Sequence, residues 1–158
     1  MSAATCTIRR ATSAADIDAA RALFEEYAAA LDFELCFQDF QTELDALPGA
    51  YAPPTGDLLL AEVDGDVVGC VAVRQLDEGV CEMKRLYVRP DFRRHGIGRA
   101  LAARIVGRGR ALGYQTMRLD TVETMHAARA LYRDLGFRET DAYYHNPLPD
   151  VVYMEREL

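Results

Sequence analysis

The chain has 158 residues, half of them hydrophobic, and a net charge of −7. This length and composition predict one domain with a single buried core, and no apolar run approaches the roughly 18 residues of a membrane span. The N-terminus lacks the basic start and apolar stretch of a secretory signal. We therefore expect a cytoplasmic protein that has no membrane partner.

Composition also argues against several functional classes. Serine occurs only at Ser2 and Ser13, outside any G-x-S-x-G pattern, which excludes most serine hydrolases. Lys84 is the sole lysine, so a P-loop lysine is missing. The cysteines and histidines show neither CxxC nor HExxH spacing, and we predict no metal site. Cys70 and Cys81 lie in apolar segments and are expected to be buried, reduced thiols.

The charge is divided between the two halves of the chain. Residues 1–80 carry fifteen acidic residues and four arginines, whereas residues 81–158 carry ten acidic residues, thirteen arginines and the lysine. A basic half within an acidic protein favours a small polyanionic ligand on one side. It argues against a nucleic acid partner, because the field of the whole chain would repel a duplex.

The first half of the chain predicts two helices and a β-meander. In order, the expected elements are a strand at Thr5–Arg10, a helix with a capping start at Ser13–Asp16, a shorter helix at about Phe37–Leu47, and strands at Leu58–Val63, Val67–Val73 and Val80–Val88. The pair Asp64-Gly65 is a hairpin signal within the meander. The strand at Val80–Val88 is expected to be the longest.

The second half predicts alternating helices and strands. In order, they are a helix at about Gly98–Leu112, a strand at Gln115–Thr121, a helix at about Met125–Leu135 with Thr124 as its N-cap, and strands at Phe137 to about Asp141 and at Val151–Glu157. A long aromatic loop, residues 143–150, joins the last two strands. The whole pattern predicts an α+β (α/β-like) domain with a mixed sheet.

One segment, residues 86–101 (LYVRPDFRRHGIGRAL), combines a strand end, a basic turn and a helix start. Unpaired N–H groups at a helix start suit a phosphate, and Gly96 and Gly98 let that backbone approach a ligand. Arg93, Arg94 and Arg99 add positive charge. A dinucleotide-binding GxGxxG would need a third glycine three residues later, where leucine stands. Without further information, the segment is equally compatible with a simple glycine-containing turn into an arginine-rich surface helix that binds no phosphate.

Two blocks of sequence resemble the GCN5-related N-acetyltransferase (GNAT) family. The run R-x-x-G-x-G at 93–98, after L-Y-V-x-P at 86–90, is similar to motif A of that family. Residues 127–137 (AARALYRDLGF) are similar to its later A-x-x-L-Y-x-x-x-G-F helix. The resemblance is specific over about residues 57–140. It implies a single domain with a mixed, mostly antiparallel sheet of about seven strands and about four helices.

The resemblance also implies which part of the chain binds each substrate. Residues 1–56 would form the acceptor-side helices and loop, residues 57–140 the acyl-CoA-binding core, and residues 141–158 the C-terminal loop and strand. The implied activity is an acyl-CoA-dependent N-acyltransferase, with acetyl-CoA as donor and a small-molecule or protein amine as acceptor. A non-catalytic coenzyme A-binding or sensing module is the alternative. The sequence does not determine whether the protein is a monomer or a homodimer.

The family pattern assigns site residues by position. Leu86, Tyr87 and Val88 would pair with the pantetheine arm, and Arg93, Arg94, His95, Gly96, Ile97, Gly98 and Arg99 would surround the pyrophosphate. Tyr132 falls where many members have a tyrosine that faces the thioester sulfur. Met125 stands where many members have an asparagine, so a usual side-chain hydrogen bond to pantetheine is missing.

Catalysis needs a neutral amine and a stabilised thiolate. An alkyl amine with a pKa near 10 is only ~0.1% neutral at pH 7, so a base or a desolvating pocket must help. Glu82 is the candidate base, because its position resembles the strand glutamate of some members. The alternative is a pair with Lys84 or Arg85 on the sheet surface. Tyr132 is expected to stabilise the thiolate by a hydrogen bond, and packing beside Phe137 is its alternative role.

The acceptor side is less defined. Its candidate residues are Tyr143, Tyr144 and His145 in the aromatic loop, with His145 as a second base, and Glu34, Asp39 and Glu43 around the second helix. The excess of acidic residues in the first half predicts an acceptor that is cationic in solution.

Overall fold

A seven-stranded sheet runs through the computed structural model, which describes residues 6–31, 40–144 and 150–158. The strands are β1 (Cys6–Arg10), β2 (Asp57–Val63), β3 (Asp66–Asp77), β4 (Val80–Val88), β5 (Thr116–Val122), β6 (Arg138–Thr140) and β7 (Val151–Glu157). The helices are α1 (Ala14–Ala30), α2 (Phe40–Ala46), α3 (Ile97–Ala111) and α4 (His126–Asp134).

The strand order is β1-β2-β3-β4-β5-β7-β6. Every neighbouring pair is antiparallel except β4 and β5, which are parallel and are connected through α3. A parallel pair requires a crossover of this kind, because a tight turn can join only antiparallel strands. The prediction of a mixed, mostly antiparallel sheet of about seven strands with about four helices is confirmed.

Helices cover both faces of the sheet. In β2, Leu59 and Ala61 join the core cluster that includes α3, whereas Leu58 and Leu60 join the cluster that includes α1 and α2. Successive side chains of a strand point to opposite faces, so the middle of β2, which is buried on both sides, is a continuous apolar run. Cys70 and Cys81 are buried, unpaired thiols, as predicted.

The capping start of α1 is confirmed. Ser13 Oγ accepts a hydrogen bond from the Asp16 backbone N–H at 3.1 Å, and the Asp16 carboxylate accepts one from the Ser13 N–H at 3.2 Å. The Asp16 carboxylate also accepts hydrogen bonds from the Thr12 N–H and from Arg9. These contacts, with the Thr12 bond as the largest cause, lower the pKa of Asp16 to about 2.

Two predictions about individual elements are wrong. The longest strand is β3 with 12 residues, not β4 with 9, because β3 continues until Asp77 lies opposite Val80. The N-cap of α4 is Met125, not Thr124. The Met125 N–H donates to the Val122 carbonyl at 3.0 Å and closes a turn, which places Thr124 before the helix.

The described part of the chain departs little from the other predicted bounds. The second helix begins at Phe40, and the first residues predicted for it lie outside the described ranges. Among residues 6–31, 40–144 and 150–158, no helix combines the length and apolar character that crossing a bilayer requires.

Candidate active site

A cleft opens where the two parallel strands separate. β4 and β5 pair only from Val80–Thr116 to Glu82–Arg118, yet β4 continues to residue 88 and β5 to residue 122. The space between the unpaired ends belongs to a cleft of about 820 Å³.

A bulge in β4 accompanies the separation of the strands. The register between β3 and β4 shifts between Cys70 and Ala72, and Arg85 has a positive φ of 60°. An extra residue bends a strand and increases its local twist. We therefore attribute the divergence of β4 from β5 to this bulge.

Ten of the eleven predicted cofactor-binding residues line the cleft. They are Leu86, Tyr87, Val88, Arg93, Arg94, Gly96, Ile97, Gly98, Arg99 and Met125. The eleventh, His95, is exposed and does not line it, so its contribution stays a prediction. Tyr87 is also a core residue, because its ring packs edge-on against Tyr27 at 6.2 Å.

The start of α3 forms one end of the cleft. Its N-cap, Gly96, has a φ of 79°, and no side chain caps the helix there. A Cβ at Gly96 would meet no atom within 4 Å, so the space beside the backbone is open. Arg93 donates to the Val88 carbonyl at 2.8 Å and lies over the Tyr87 ring. Helix-start N–H groups beside arginines can hold a phosphate.

Tyr132 lies in the wall of the cleft and in the core. It is buried and packs edge-on against Phe137, with ring centroids 5.9 Å apart, as the packing alternative predicts. It also lines the cleft, and no hydrogen bond joins its hydroxyl to another described residue. Burial raises the pKa of Tyr132, and the charge of Asp120 adds to the increase. The hydroxyl therefore stays protonated and can donate to a ligand.

Glu82 is fully buried and does not line the cleft. Its Oε1 accepts from Arg74, the residue opposite it on β3, at 2.8 Å. Its Oε2 accepts from the Tyr143 hydroxyl at 2.6 Å. The surface pair suggested as an alternative is wrong for Arg85, which pairs with Glu43 instead. Each oxygen of Glu82 therefore accepts a hydrogen bond from a described residue that does not line the cleft.

Asp120 on β5 is not among the site residues predicted from the sequence. This residue lines the cleft, and its Oδ2 accepts a hydrogen bond from the Tyr144 hydroxyl at 2.5 Å. Tyr143, Tyr144 and Tyr153 pack against one another with ring centroids 5.2–5.6 Å apart. The signal that could have identified Asp120 is its place two residues past the last β4–β5 pair, but strand register is a tertiary property.

The remaining acceptor-side candidates are only partly described. Glu43 accepts two hydrogen bonds from Arg85, both at 2.9 Å, so its charge is matched inside the protein. Glu34, Asp39 and His145 lie outside the described residues. The described ranges contain no group of three or more His, Cys, Asp or Glu that could hold a metal ion, and the absence of a metal stays a prediction.

Comparisons with known proteins identify the family. The model of the acetyltransferase (GNAT) family matches residues 17–137. An uncharacterized N-acetyltransferase of Schizosaccharomyces pombe is 43% identical over 145 residues, which cover 90% of this chain and 89% of that protein.

Solved structures share the fold. An acetyltransferase of the GNAT family from Staphylococcus aureus superposes with a TM-score of 0.78 at 18% identity, over 97% of this chain and 99% of that one. A GNAT phosphinothricin acetyltransferase from Sinorhizobium meliloti, in complex with acetyl-CoA, superposes with a TM-score of 0.73 at 22% identity. The match covers 98% of this chain and 89% of that one. The family model and the 43% identical relative show that the chain belongs to the GNAT family of acetyltransferases.

Proposed function

We propose that this enzyme transfers the acetyl group of acetyl-CoA directly to a primary amine in the cleft between β4 and β5. The observation that carries the proposal is the shape of the cleft: one end is the uncapped start of α3, and its wall contains β4 and Tyr132. Acetyl-CoA has a matching order of groups, with phosphates at one end and a thioester at the other. The GNAT relative bound to acetyl-CoA supports the same donor.

The phosphates would bind at the turn into α3. The backbone N–H groups from residue 94 to residue 99 would donate to the pyrophosphate, and the side chains of Arg93, Arg94 and Arg99 would add charge. The open space beside Gly96 supports this contact, because the phosphate can approach the backbone without meeting a Cβ.

The pantetheine arm would extend along β4. Tyr87 and Val88 pair with Cys70 and Gly69 of β3 on one edge, and the opposite edge faces the cleft. An extended chain can add to such an edge through backbone hydrogen bonds. The Met125 side chain supplies no strong donor, and its Sδ contacts Thr121 Oγ1 at 3.5 Å. Backbone contacts would therefore dominate the binding of this arm.

The reaction follows from this arrangement. The acceptor ammonium loses a proton, and its nitrogen attacks the thioester carbonyl carbon. The N–H groups of β4 stabilise the oxyanion while the C–N bond forms, and the C–S bond then breaks. Tyr132 donates a hydrogen bond to the departing thiolate, which takes up a second proton from the amine. The products are an amide, coenzyme A and one proton.

Glu82 would act on the acceptor side through Tyr143. The buried carboxylate holds the Tyr143 hydroxyl at 2.6 Å, and that ring packs against Tyr144 and Tyr153. In this proposal the donor site lies within residues 57–140, and residues 1–56 and 141–158 border the acceptor. The cytoplasmic location also stays a prediction.

The test measures coenzyme A thiol release from acetyl-CoA with and without an amine panel. We expect release that depends on the amine, together with an acetylated product of matching amount by mass spectrometry. Propionyl-CoA and butyryl-CoA in parallel reactions measure the donor preference. Stoichiometric thiol release without amine, with an acetyl group left on the protein, would contradict direct transfer.

A further inference from the structure

Lys84 of β4 and Asp120 of β5 occupy matching positions just past the end of the strand pairing. The last pair is Glu82 with Arg118, so each residue lies two positions further along its strand and on the same face. Both side chains line the cleft. The two diverging strands therefore bring opposite charges into the cleft at the point where they separate.

Asp120 is electrostatically coupled to the groups around it. Burial lowers the pKa of Lys84, and the negative charge of Asp120 acts in the opposite direction. The same charge adds to the effect of burial on the pKa of Tyr132, the residue proposed to contact the thioester sulfur. Tyr144 orients the carboxylate by a hydrogen bond to Oδ2. Asp120 is thus a carboxylate in the cleft that a tyrosine hydroxyl orients.

Among the described residues on and beside these strands, three basic and three acidic side chains balance one another. Arg74 pairs with Glu82, and Arg85 pairs with Glu43 through two hydrogen bonds. Lys84 and Asp120 add one positive and one negative charge. This balance among the described residues favours a ligand without net charge, because an unmatched charge loses its hydration without compensation.

Ion pairs also weaken the expectation of a cationic acceptor. Arginines neutralise many acidic residues of the first half: Asp16 with Arg9, Asp18 with Arg21, Glu26 with Arg89, and Asp57 with Arg10 and Arg108. The negative charge of residues 1–80 therefore acts on the cleft less strongly than its sum suggests.

We propose that the acceptor is an α-amino acid, with its ammonium group bound by Asp120 and its carboxylate bound by Lys84. The inference rests on the proposed function and names the substrate class of the same site. A molecule with adjacent positive and negative groups can bridge two strands that have just separated, since paired strands lie about 4.8 Å apart.

Asp120 then has a defined step in the reaction. Its carboxylate takes one proton from the ammonium, and the neutral nitrogen attacks the thioester carbonyl carbon. The C–N bond forms, the C–S bond breaks, and the thiolate takes the second proton that the nitrogen loses. The proton held by Asp120 leaves to solvent. No further reactant is needed.

The first test compares each of the twenty proteinogenic α-amino acids with its α-carboxamide. Both compounds carry the same side chain and an α-amine, but the carboxamide amine is the weaker base and is more often neutral. A preference for the free acid therefore cannot come from amine basicity. We expect kcat/KM for the best free acid to exceed that of its carboxamide at least 10-fold, measured by thiol release at saturating acetyl-CoA.

The second test uses variants of both residues. Lys84→Met should raise KM for the free acid at least 10-fold and leave the carboxamide unchanged, whereas Lys84→Arg keeps the charge and should retain part of the preference. Asp120→Asn should lower kcat by about 10²- to 10⁴-fold, the usual contribution of a general base. Acetyl-CoA affinity, measured by calorimetry, should stay within a factor of three in each variant.

The outcomes separate this inference from the proposed function. If acetyl-CoA does not bind, the proposed function fails and the inference fails with it. If acetyl-CoA binds but no α-amino acid is acetylated, or if carboxamides or polyamines are preferred, the inference alone is overturned. The comparison of acids with carboxamides uses the unmodified enzyme, so it does not depend on whether the variants fold.

Discussion

The Tyr132 hydroxyl is proposed to donate a hydrogen bond to the departing thiolate. We predict that Tyr132→Phe lowers kcat by about 10- to 150-fold, because a hydrogen bond to a charged group contributes roughly 1.5–3 kcal/mol. The phenylalanine ring keeps the edge-on contact with Phe137, so folding should change little. Steady-state kinetics and calorimetry with acetyl-CoA measure the two effects separately.

The matched control is Tyr114→Phe, which removes a tyrosine hydroxyl that donates to the Thr55 carbonyl and does not line the cleft. A loss of kcat with unchanged donor affinity, seen only at Tyr132, indicates an interaction made in the transition state. Equal loss of donor affinity would make Tyr132 a structural residue. An unchanged kcat, with chemistry rate-limiting, would remove it from the mechanism.

A substitution of Glu82 measures what its buried ion pair with Arg74 contributes to stability and to catalysis. We predict that Glu82→Gln lowers the free energy of unfolding by about 1–3 kcal/mol, because Arg74 loses its charged partner. We expect kcat to fall less than 10-fold, since the carboxylate does not line the cleft. Urea unfolding and steady-state kinetics on the same preparation measure both quantities.

Glu155→Gln provides the comparison, because Glu155 is also a strand glutamate that pairs with an arginine, Arg118 at 3.2 Å. A direct general base contributes about 10²–10⁴ to the rate. A kcat loss of that size at Glu82, absent at Glu155, would support the base role predicted from the sequence.

At the scale of a single element, the start of α3 depends on Gly96. The φ of 79° disfavours any residue with a Cβ, and the neighbouring space is open to a ligand. We predict that Gly96→Val abolishes the stabilisation of the fold by acetyl-CoA, because the side chain occupies the phosphate position. The strain should cost about 1–2 kcal/mol and leave the protein folded. Thermal unfolding with and without acetyl-CoA measures both effects.

Gly65→Val is the control for backbone strain. Gly65 has a φ of 87° in the β2–β3 turn, and a Cβ there would also meet nothing within 4 Å. The two variants should lose similar stability, but only Gly96→Val should lose the response to acetyl-CoA. An equal response in both variants would locate the phosphates elsewhere.

At the scale of the whole molecule, donor binding should be visible as thermal stability. A ligand at 100 times its Kd stabilises the native state by about 2.7 kcal/mol. We expect micromolar-range affinity for acetyl-CoA and, for a chain of this length, a rise in Tm of about 5–10 °C at that concentration. Differential scanning fluorimetry across an acetyl-CoA titration provides the measurement. A shift below about 1 °C at millimolar acetyl-CoA would contradict the proposed donor site.

The sequence by itself determined the elements and the segment proposed to bind the donor. Hydrophobic alternation, the Asp64-Gly65 turn and the Ser13 capping start are local signals, and each element lies within a few residues of its predicted bounds. The turn into α3 could also be predicted, because its glycines and arginines are contiguous in the chain. Nine of the ten predicted cofactor-binding residues that line the cleft lie in this one segment, residues 86–99, and the tenth is Met125.

Only the tertiary structure brought together the residues that are proposed to bind the acceptor. The partner of Glu82 is Arg74 on β3, and Lys84 and Asp120 each lie two residues past the last parallel pair, which joins residues 82 and 118. These neighbours are 8 and 36 positions apart in the chain, and no local pattern determines the strand register between β4 and β5. Register and the bulge at Arg85 arise from packing across the whole sheet.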